Sequence, residues 1–392
     1  MERIGIYGGS FNPPHIGHIR GAQCAIDKLC LEKLLLIPSC VAPHKTAASH
    51  SPTPEQRAQM LRFAAGEKME VCDIELTRGG ISYTYETVEA LSQQYPEQEL
   101  VLLMGTDMFL SFLEWKEPER ILAKVSLGVL YRGDKNEMEQ IALQKEKLTA
   151  MGATVYLVEN PITEISSTQI RRMLTFRCAD PFLSDRVAAY IQMNNLYDTG
   201  KNLRNLPIER LEQVVVSLLK PNRVAHVLGC RDTAAALARH WGENETDAAR
   251  AGLLHDVTKA LDGPLQLTLC GEYGIVLGEF SKKNPKTLHA LTGSLVAERI
   301  FGENSRVVDA IASHTTGKAD MTTLEKILYI ADYMEPNRNF PGVERLRELA
   351  FTDLDKALKL GLEMTLKVLR ENGQDISPES AEALAFLQMT GV

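Results

Sequence analysis

The sequence predicts an α/β domain built on a parallel sheet, followed by an all-α domain. In the first half, continuous apolar runs alternate with helical patterns, which is typical of parallel strands covered by helices on both faces. From Ile208 onward, apolar residues recur at helical spacing and no strand alternation is found. At 392 residues the chain is long enough for two such domains. We expect them at 1–198 and 208–392, with a polar linker at 199–207 between them.

The predicted strands are apolar runs that stop at glycine, proline or polar residues. They cover Ile4–Tyr7, Lys33–Ile37, Met69–Leu76, Glu99–Met104, Val125–Tyr131 and Ala153–Val158. Polar segments follow strands at 8–18, 38–45, 78–87 and 105–107. Because a parallel sheet binds ligands beyond the carboxyl ends of its strands, we expect these segments to converge at one edge.

Composition argues against several classes of protein. The net charge is −8 and no basic block occurs, which disfavours binding to nucleic acid. The seven cysteines include no C-x-x-C pair, as expected for a reduced compartment. No signal peptide is recognised, and no apolar run is long enough to span a bilayer. We therefore expect a cytoplasmic protein that binds no membrane, and the sequence leaves homo-oligomerisation open.

The segment from Arg3 to His18, RIGIYGGSFNPPHIGH, is the clearest candidate site in the first half. It reads as a strand, a turn and the start of a helix, and a helix N-terminus favours phosphate. The glycines allow phosphate to approach the backbone closely. His15 and His18 would then donate hydrogen bonds to a phosphoryl group. Spacing alone leaves open a βα turn with two incidental histidines.

The string GGSFNPPHIGH resembles the signature of H-x-G-H nucleotidylyltransferases and, among them, of bacterial nicotinate-nucleotide adenylyltransferases. Further segments resemble that family in the same order: Pro43-His44-Lys45, ELTRGGISYT at 75–84, Gly105-Thr106-Asp107 with Trp115, and ISSTQIR at 165–171. The resemblance implies a Rossmann-like nucleotidylyltransferase domain. It also implies transfer of AMP from ATP to nicotinate mononucleotide, giving deamido-NAD and pyrophosphate, with Mg²⁺ bridging the phosphates.

The same resemblance implies roles for individual residues. His15 and His18 would be catalytic, and Lys45 would add positive charge. Substrate would be bound by Gly8, Gly9, Ser10, Phe11, Thr84, Gly105, Asp107, Trp115, Ile165, Ser167, Thr168 and Arg171. Trp115 has a simpler interpretation as a core residue, and Asp107 as a helix cap. Pantetheine phosphate is the alternative acceptor, although the Tyr83-Thr84 and Trp115 segments favour nicotinate.

Six residues with metal-ligand side chains lie along the helical second half: His226, His255, Asp256, His289, His314 and Asp332. These residue types suit a pair of transition-metal ions. The adjacent pair His255-Asp256 lies in the apolar context GLLHDVTK, where an aspartate is rarely buried without a partner. One such histidine would more often be a core residue, but six ligand types on successive helices predict a metal site.

This H…HD…D order resembles the HD metallophosphohydrolases. The segments AGLLHDVTK at 251–259, HTTG at 314–317 and ADYMEPNR at 331–338 resemble the symmetrical diadenosine tetraphosphate hydrolases of that group. The resemblance implies a bifunctional chain whose second domain splits diadenosine tetraphosphate into two ADP. The alternatives are another nucleotide substrate, or a regulatory domain that only binds nucleotide.

By this resemblance, His226, His255, Asp256 and Asp332 bind one metal ion. His289 and His314 would complete a second site, with Asp256 bridging the two. Iron is implied by the family, and manganese or zinc suits the same ligands. Lys259 would act in catalysis and Arg338 would bind the polyphosphate, although both could instead form surface ion pairs.

Overall fold

The computed structural model divides into two compact units. They span Met1–Lys201 and Asn202–Val392. The structure describes residues 2–41, 51–131, 135–160 and 165–391. The boundary after Lys201 lies inside the segment predicted as a linker. In the described parts of the chain, no helix is both long and apolar enough to cross a membrane.

A sheet of parallel strands forms the centre of the first unit. The strands are β1 Arg3–Gly9, β2 Lys33–Pro38, β3 Met69–Val71, β4 Glu99–Gly105, β5 Ser126–Tyr131 and β6 Val155–Glu159. Their order across the sheet is β3-β2-β1-β4-β5-β6, and every neighbouring pair is parallel. Strands are added outward in opposite directions from the β1–β4 pair. The carboxyl ends of β1 and β4 therefore form the switch point at which sheets of this kind bind ligands.

Helices connect the strands of the first unit and cover both faces of the sheet. They are α1 Ile16–Leu29, α2 Pro54–Ala64, α3 Ile74–Arg78, α4 Thr84–Gln94, α5 Thr106–Leu110, α6 Pro118–Leu122, α7 Lys135–Ala150, α8 Ser167–Thr175 and α9 Asp185–Met193. Along β2, Leu35 and Ile37 belong to one hydrophobic core, whereas Leu34 and Leu36 belong to another. Successive side chains of a strand point to opposite faces, so burial on both sides explains the continuous apolar runs.

One predicted strand is too long. Pairing with β2 ends at Val71, and the residues Ile74–Arg78 form helix α3 instead of continuing the predicted strand Met69–Leu76. The Glu75 side chain is buried and accepts a hydrogen bond from Thr87 Oγ1 at 2.7 Å. This contact with another helix fixes α3, and the local apolar pattern does not reveal it.

The second unit is helical throughout its described residues, 202–391. Its helices are α10 Ile208–Leu218, α11 Pro221–Trp241, α12 Glu245–Leu254, α13 Gly263–Glu272, α14 Glu279–Lys283, α15 Leu288–Val296, α16 Ser305–Ser313, α17 Thr323–Met334, α18 Val343–Ala350, α19 Leu354–Glu371 and α20 Pro378–Met389. The predicted fold class, a parallel α/β domain followed by an all-α domain, is confirmed.

Helices α11 and α12 approach each other closely because of one glycine. A Cβ atom on Gly252 of α12 would lie 2.7 Å from the Cα atom of Arg231 on α11, which is backbone and cannot move aside. Helix α11 carries His226, and His255 caps the end of α12. Their Nε2 atoms are 3.3 Å apart. The absence of a side chain at Gly252 therefore helps to bring two predicted metal ligands together.

We expect Gly252→Ala to lower the free energy of unfolding of the second unit by about 1–3 kcal/mol, the usual cost of overpacking. Gly271→Ala on α13 is the matched control, because a Cβ atom there meets nothing within 4 Å. That control should be neutral or slightly stabilising, since alanine favours helix. Calorimetric unfolding of the full chain measures both variants. Equal transitions for Gly252→Ala and the unsubstituted protein would contradict the close approach.

Candidate functional sites

The turn between β1 and α1 places two histidines at the start of a helix. His15 caps α1, and its Nδ1 accepts the backbone N–H of Gly17 at 3.2 Å. The Nδ1 of His18 accepts the backbone N–H of His15 at 3.3 Å. A neutral imidazole carries its proton on the nitrogen that does not accept, so both rings present an Nε2–H. Two donors therefore stand at a helix N-terminus, where anions are favoured.

Burial keeps the His15 ring neutral. The residue is 4% exposed, and burial lowers its pKa from 6.5 to about 4. Its Nε2 has no hydrogen-bond partner among the described residues. The His18 ring centroid lies 3.7 Å from that of His15. A buried N–H without an acceptor is costly, so this atom is placed to donate to a ligand.

Side chains from distant segments hold the Asn12-Pro13-Pro14 turn that precedes these histidines. Arg171 Nη1 donates to the Asn12 carbonyl at 2.7 Å, and Ser167 Oγ donates to the Pro13 carbonyl at 3.1 Å. The Tyr197 hydroxyl donates to Asn12 Oδ1 at 2.6 Å. Thr168 Oγ1 accepts from Arg171 Nη2 at 3.0 Å. Residues predicted to bind phosphate thus contact the turn itself.

Sequence reasoning missed Arg57, which joins the loops after β1 and β2. Its side chain is 6% exposed and donates to the Ser10 carbonyl at 2.6 Å. It also donates to the carbonyls of Ser39 at 2.6 Å and Cys40 at 3.1 Å. The sequence feature that could have identified Arg57 is its place on the apolar face of α2, beside the buried residues Ala58 and Leu61.

Further predicted substrate residues surround the same turn. Gly8 and Gly9 end β1, and a Cβ atom on Gly8 would meet nothing within 4 Å. A Cβ atom on Gly9 would lie 3.2 Å from the ring of Phe11, which is 1% exposed. Ile165 lies close to the start of α1, since its Cγ2 is 3.3 Å from where a Gly17 Cβ would be.

The segment after β4 lies at the other half of the switch point. Gly105 ends β4 and occupies the N-cap position of α5. Asp107 is exposed in the first turn of that helix and is not its N-cap residue. Lys45, predicted to contribute positive charge, lies outside the described residues.

Trp115 and Thr84 belong to two segments that meet. Thr84 begins α4, directly after Tyr83. Trp115 is half-buried, with its ring centroid 5.3 Å from that of Phe112 in the core. The next residue, Lys116, has its Nζ 4.0 Å from the centroid of the Tyr83 ring. The two segments predicted to bind the base are therefore neighbours, and Trp115 also contributes to packing.

The predicted metal ligands of the second unit converge in one buried cluster. His226 Nε2 lies 3.0 Å from Asp332 Oδ1, and His255 Nε2 lies 3.7 Å from the same oxygen. Asp256 Oδ2 is 3.6 Å from His255 Nε2, and Asp256 Oδ1 is 3.4 Å from His289 Nε2. All except Asp332 are less than a tenth exposed, and Asp332 is partly buried.

His314 also belongs to the cluster. Its ring centroid lies 5.1 Å from that of His255 and 5.1 Å from that of His289. Two groups have ligand atoms within 4.8 Å of one another: His226, His255 and Asp332 in one, and His255, Asp256 and His314 in the other. The structure therefore brings all six predicted ligands together.

Hydrogen bonds at Nδ1 turn the Nε2 atoms of these histidines inward. The Nδ1 atoms of His255, His289 and His314 lie 2.7, 2.8 and 2.7 Å from the carbonyl oxygens of Gly252, Lys286 and Ile311. The Nδ1 of His226 lies 3.1 Å from the Glu335 carboxylate. Since these oxygens only accept, each Nδ1 carries a proton. The Nε2 atoms of His255, His289 and His314 are then left as lone pairs that can bind a metal ion, whereas His226 Nε2 faces the Asp332 carboxylate and would lose any proton there when it binds one.

The donor set fits a metal centre. Burial lowers the pKa of His314 to about 4 and holds the pKa values of His255 and His289 well below their usual range. The Nε2 atoms of His226 and His255, 3.3 Å apart, are close enough to bind one cation between them. Nitrogen and carboxylate ligands of this kind suit iron, manganese or zinc.

Three cationic side chains contact the cluster. Lys259 Nζ lies 2.9 Å from His289 Nε2, and burial lowers its pKa to about 8. Arg338 Nη2 donates to Asp332 Oδ1 at 2.9 Å. Arg223, which sequence reasoning missed, pairs with Asp256. Lys259 and Arg338 are thus not surface ion pairs with unrelated residues, because each contacts a predicted metal ligand.

Sequence reasoning also assigned no role to Glu335. This carboxylate is 1% exposed and contacts His226 as described above. The sequence feature that could have pointed to Glu335 is its position in the ADYMEPNR segment, three residues after Asp332. Arg223 had a comparable signal, because it lies three residues before His226 on the same helix.

Each half of the chain is similar to known proteins. The cytidylyltransferase-like family model matches residues 6–173, and the HD domain model matches residues 223–337. The probable nicotinate-nucleotide adenylyltransferase of Gemmatimonas aurantiaca is 36% identical over 198 residues, which cover 50% of this chain and 92% of that protein. The protein of the same name from Borrelia garinii is 34% identical over 204 residues, covering 51% and 98%.

Among solved structures, a predicted HD superfamily hydrolase involved in NAD metabolism from Clostridium acetobutylicum is 36% identical. The match covers 47% of this chain and 98% of that one, with a TM-score of 0.46. Because the match to the Gemmatimonas protein exceeds 30% identity over nearly its whole length, the chain belongs to the nicotinate-nucleotide adenylyltransferase family, and it carries an HD domain in its second half.

Proposed function

We propose that the first unit transfers AMP from ATP to nicotinate mononucleotide, giving deamido-NAD and pyrophosphate. The observation that carries this proposal is the pair of Nε2–H donors of His15 and His18 at the start of α1. Family membership supports the choice of nicotinate mononucleotide as the acceptor.

In this reaction a 5′-phosphate oxygen of nicotinate mononucleotide bonds to the α-phosphorus of ATP. The bond from that phosphorus to the oxygen bridging to the β-phosphorus breaks, and pyrophosphate leaves. Such transfers depend on positioning and on stabilisation of charge on the phosphate oxygens. His15 and His18 supply N–H donors for those oxygens, and ATP would arrive with Mg²⁺ on its phosphates. Lys45 is proposed to add positive charge.

Around these donors, Gly8 and Gly9 are proposed to let phosphate approach the backbone. A Cβ atom on Gly8 would meet nothing within 4 Å, whereas the Phe11 ring packs beside Gly9. Ser167 and Arg171 are proposed to act by holding the turn, with any phosphate contact made from the same positions. Thr84 and Trp115 are proposed to bind the nicotinate ring, because the resemblance assigns them that role and their segments are neighbours. Asp107 and Gly105, at the end of β4, are proposed to bind ribose or phosphate.

We propose that the HD domain hydrolyses diadenosine tetraphosphate to two ADP at a two-metal site. The observation that carries this proposal is the inward orientation of Nε2 atoms around Asp256 and Asp332. The six predicted ligands would hold two ions of iron, manganese or zinc. Bound ions of this kind lower the pKa of a water molecule and neutralise phosphate charge. Water is then added across the central P–O–P linkage, so that each product carries two phosphates.

The cations of the site are proposed to bind the polyphosphate. Lys259, Arg338 and Arg223 each contact a predicted ligand, so they lie beside the position of the phosphates. Their positive charges already balance the carboxylates of Asp256, Asp332 and Glu335. The charge of bound metal ions would therefore be available to an anionic substrate.

We expect His18→Ala to lower kcat/KM for deamido-NAD formation roughly 100- to 1,000-fold, the usual cost of removing one such donor. Gln23→Ala, on the same helix and bonded to Asp27 at the surface, should change it little. Activity is measured with nicotinate mononucleotide and, in parallel, with pantetheine phosphate. Unchanged turnover by His18→Ala would show that His18 takes no part in the reaction. If the unsubstituted protein used pantetheine phosphate faster than nicotinate mononucleotide, pantetheine phosphate would be the preferred acceptor.

The neutral state of His15 makes stability depend on pH. Its pKa is about 4 when folded against 6.5 ordinarily, so the unfolded chain binds the proton first as the pH falls. This group therefore costs stability progressively between about pH 6.5 and pH 4. We expect His15→Gln to lose less thermal stability than the unsubstituted protein between pH 7.5 and pH 5. Parallel losses in both, with His240→Gln as a surface control, would contradict burial of the neutral ring.

Incubation of the full chain with diadenosine tetraphosphate and ferrous iron, without oxygen, tests the HD domain. We expect ADP as the sole nucleotide product and no product from His255→Ala or Asp256→Ala, both of which should also lose bound metal. ATP together with AMP would contradict attack at the central linkage. No hydrolysis by metal-loaded protein would contradict diadenosine tetraphosphate as the substrate and favour another nucleotide substrate or a regulatory role.

A further inference from the structure

One histidine of the cluster differs from the other three in what fixes it. His255 and His314 cap the ends of helices α12 and α16, and His289 lies at the start of α15. Each bonds through Nδ1 to the carbonyl three residues earlier. His226 instead lies inside the long helix α11, where carbonyls are engaged in the helix. Its Nδ1 bonds to the Glu335 carboxylate.

Glu335 is held firmly in its place. Its Oε2 accepts the backbone N–H of Asn337 at 2.7 Å and the side-chain Nδ2 of Asn337 at 2.8 Å. Its Oε1 is the atom that faces His226. Gly229, one turn after His226, makes room, since a Cβ atom there would lie 2.4 Å from Oε2. The carboxylate is therefore oriented by three other groups and is almost fully buried.

A carboxylate affects an imidazole more strongly than a carbonyl does. The negative charge attracts the Nδ1 proton and makes Nε2 a better ligand for a cation, and burial increases that effect. Among the four histidines of the cluster, this applies to His226. His226 Nε2 is 3.0 Å from Asp332 Oδ1, so the stronger metal binding is expected at the ligands His226 and Asp332.

We name the two sides by their ligands. The His226 position comprises His226 and Asp332, and the His314 position comprises His314 and Asp256, with His255 close to both. We propose that Glu335 is a positioning residue that makes the His226 position bind its metal ion more tightly than the His314 position. The two ions then bind in a fixed order. This inference rests on the proposed two-metal site.

The isosteric variant Glu335→Gln is informative because an amide has one acceptor and one donor. The two N–H donors of Asn337 fix the amide oxygen on their side. The amide NH₂ then faces His226 and donates to Nδ1, so the ring proton moves to Nε2. That tautomer has no lone pair to offer a metal ion. Replacing one carboxylate oxygen of residue 335 by NH₂ should therefore remove His226 as a ligand while keeping the volume and packing of the side chain at position 335.

Titration of the metal-free full chain with Mn²⁺, followed by calorimetry and electron paramagnetic resonance, tests this inference. We expect two binding steps in the unsubstituted protein, separated by at least about tenfold in Kd. Glu335→Gln should weaken the tighter step by about 10- to 100-fold and leave the weaker step unchanged. Glu325→Gln, in the first turn of the helix α17 that Glu335 caps at its other end, is the matched control, because Glu325 is also 1% exposed but pairs with Lys318 at 2.6 Å. It should change neither step.

The outcomes separate this inference from the proposed function. If the unsubstituted protein binds no Mn²⁺, both are overturned. If it binds two ions and Glu335→Gln weakens both steps equally, or neither, the inference alone is overturned. Gly229→Ala provides a second variant should Glu335→Gln fail to fold, because its methyl group displaces Glu335 without removing the charge. It should weaken the same step, and an unchanged tighter step would overturn the inference.

Discussion

The hydrogen bond at Nδ1 decides what each site histidine can do. In the first unit, His15 and His18 accept a backbone N–H at Nδ1, so they carry the proton on Nε2 and present donors. In the second unit, His255, His289 and His314 face a backbone carbonyl at Nδ1, so Nε2 is a lone pair. The same side chain thus presents a hydrogen-bond donor in one place and a lone pair in the other, with no difference in its covalent chemistry.

Helix ends supply most of these partners. The first N–H groups and the last C=O groups of a helix have no partner within it, so a histidine beside them is oriented at little cost. His15 uses the free N–H groups at the start of α1. His255 and His314 follow the last residues of α12 and α16 and use carbonyls of the final turn. His226 has no such group within α11, which explains why a buried carboxylate is found beside it.

The sequence predicted the fold class well, because burial on both faces leaves continuous apolar runs and helical spacing is plain after Ile208. Where a short segment is fixed by a distant partner, the prediction was wrong, as for α3 and its Glu75–Thr87 contact. The six metal-ligand types stood out because charged and polar groups are rare on apolar helix faces. The substrate and metal roles of these residues stay predictions, since geometry alone does not test them.

Residues that position other side chains could not be recognised from the sequence pattern. Arg57, Arg223 and Glu335 are buried or partly buried, and each contacts a segment far away in the chain. No periodic pattern marks such a contact, because it depends on how helices and loops pack. An arginine or glutamate next to a motif is also common on solvated surfaces. The three-dimensional arrangement is what distinguishes a positioning residue from a surface charge.

Nitrogen-15 spectra of the full chain, labelled at histidine and kept free of metal at neutral pH, test this account most directly. Two-bond couplings distinguish an Nε2–H ring from an Nδ1–H ring. We predict Nε2–H for His15 and His18, and Nδ1–H for His255, His289 and His314, assigned by single substitutions. Nε2–H rings at these three histidines would contradict the proposed metal centre, and Nδ1–H rings at His15 and His18 would contradict the proposed phosphate-binding role of the turn.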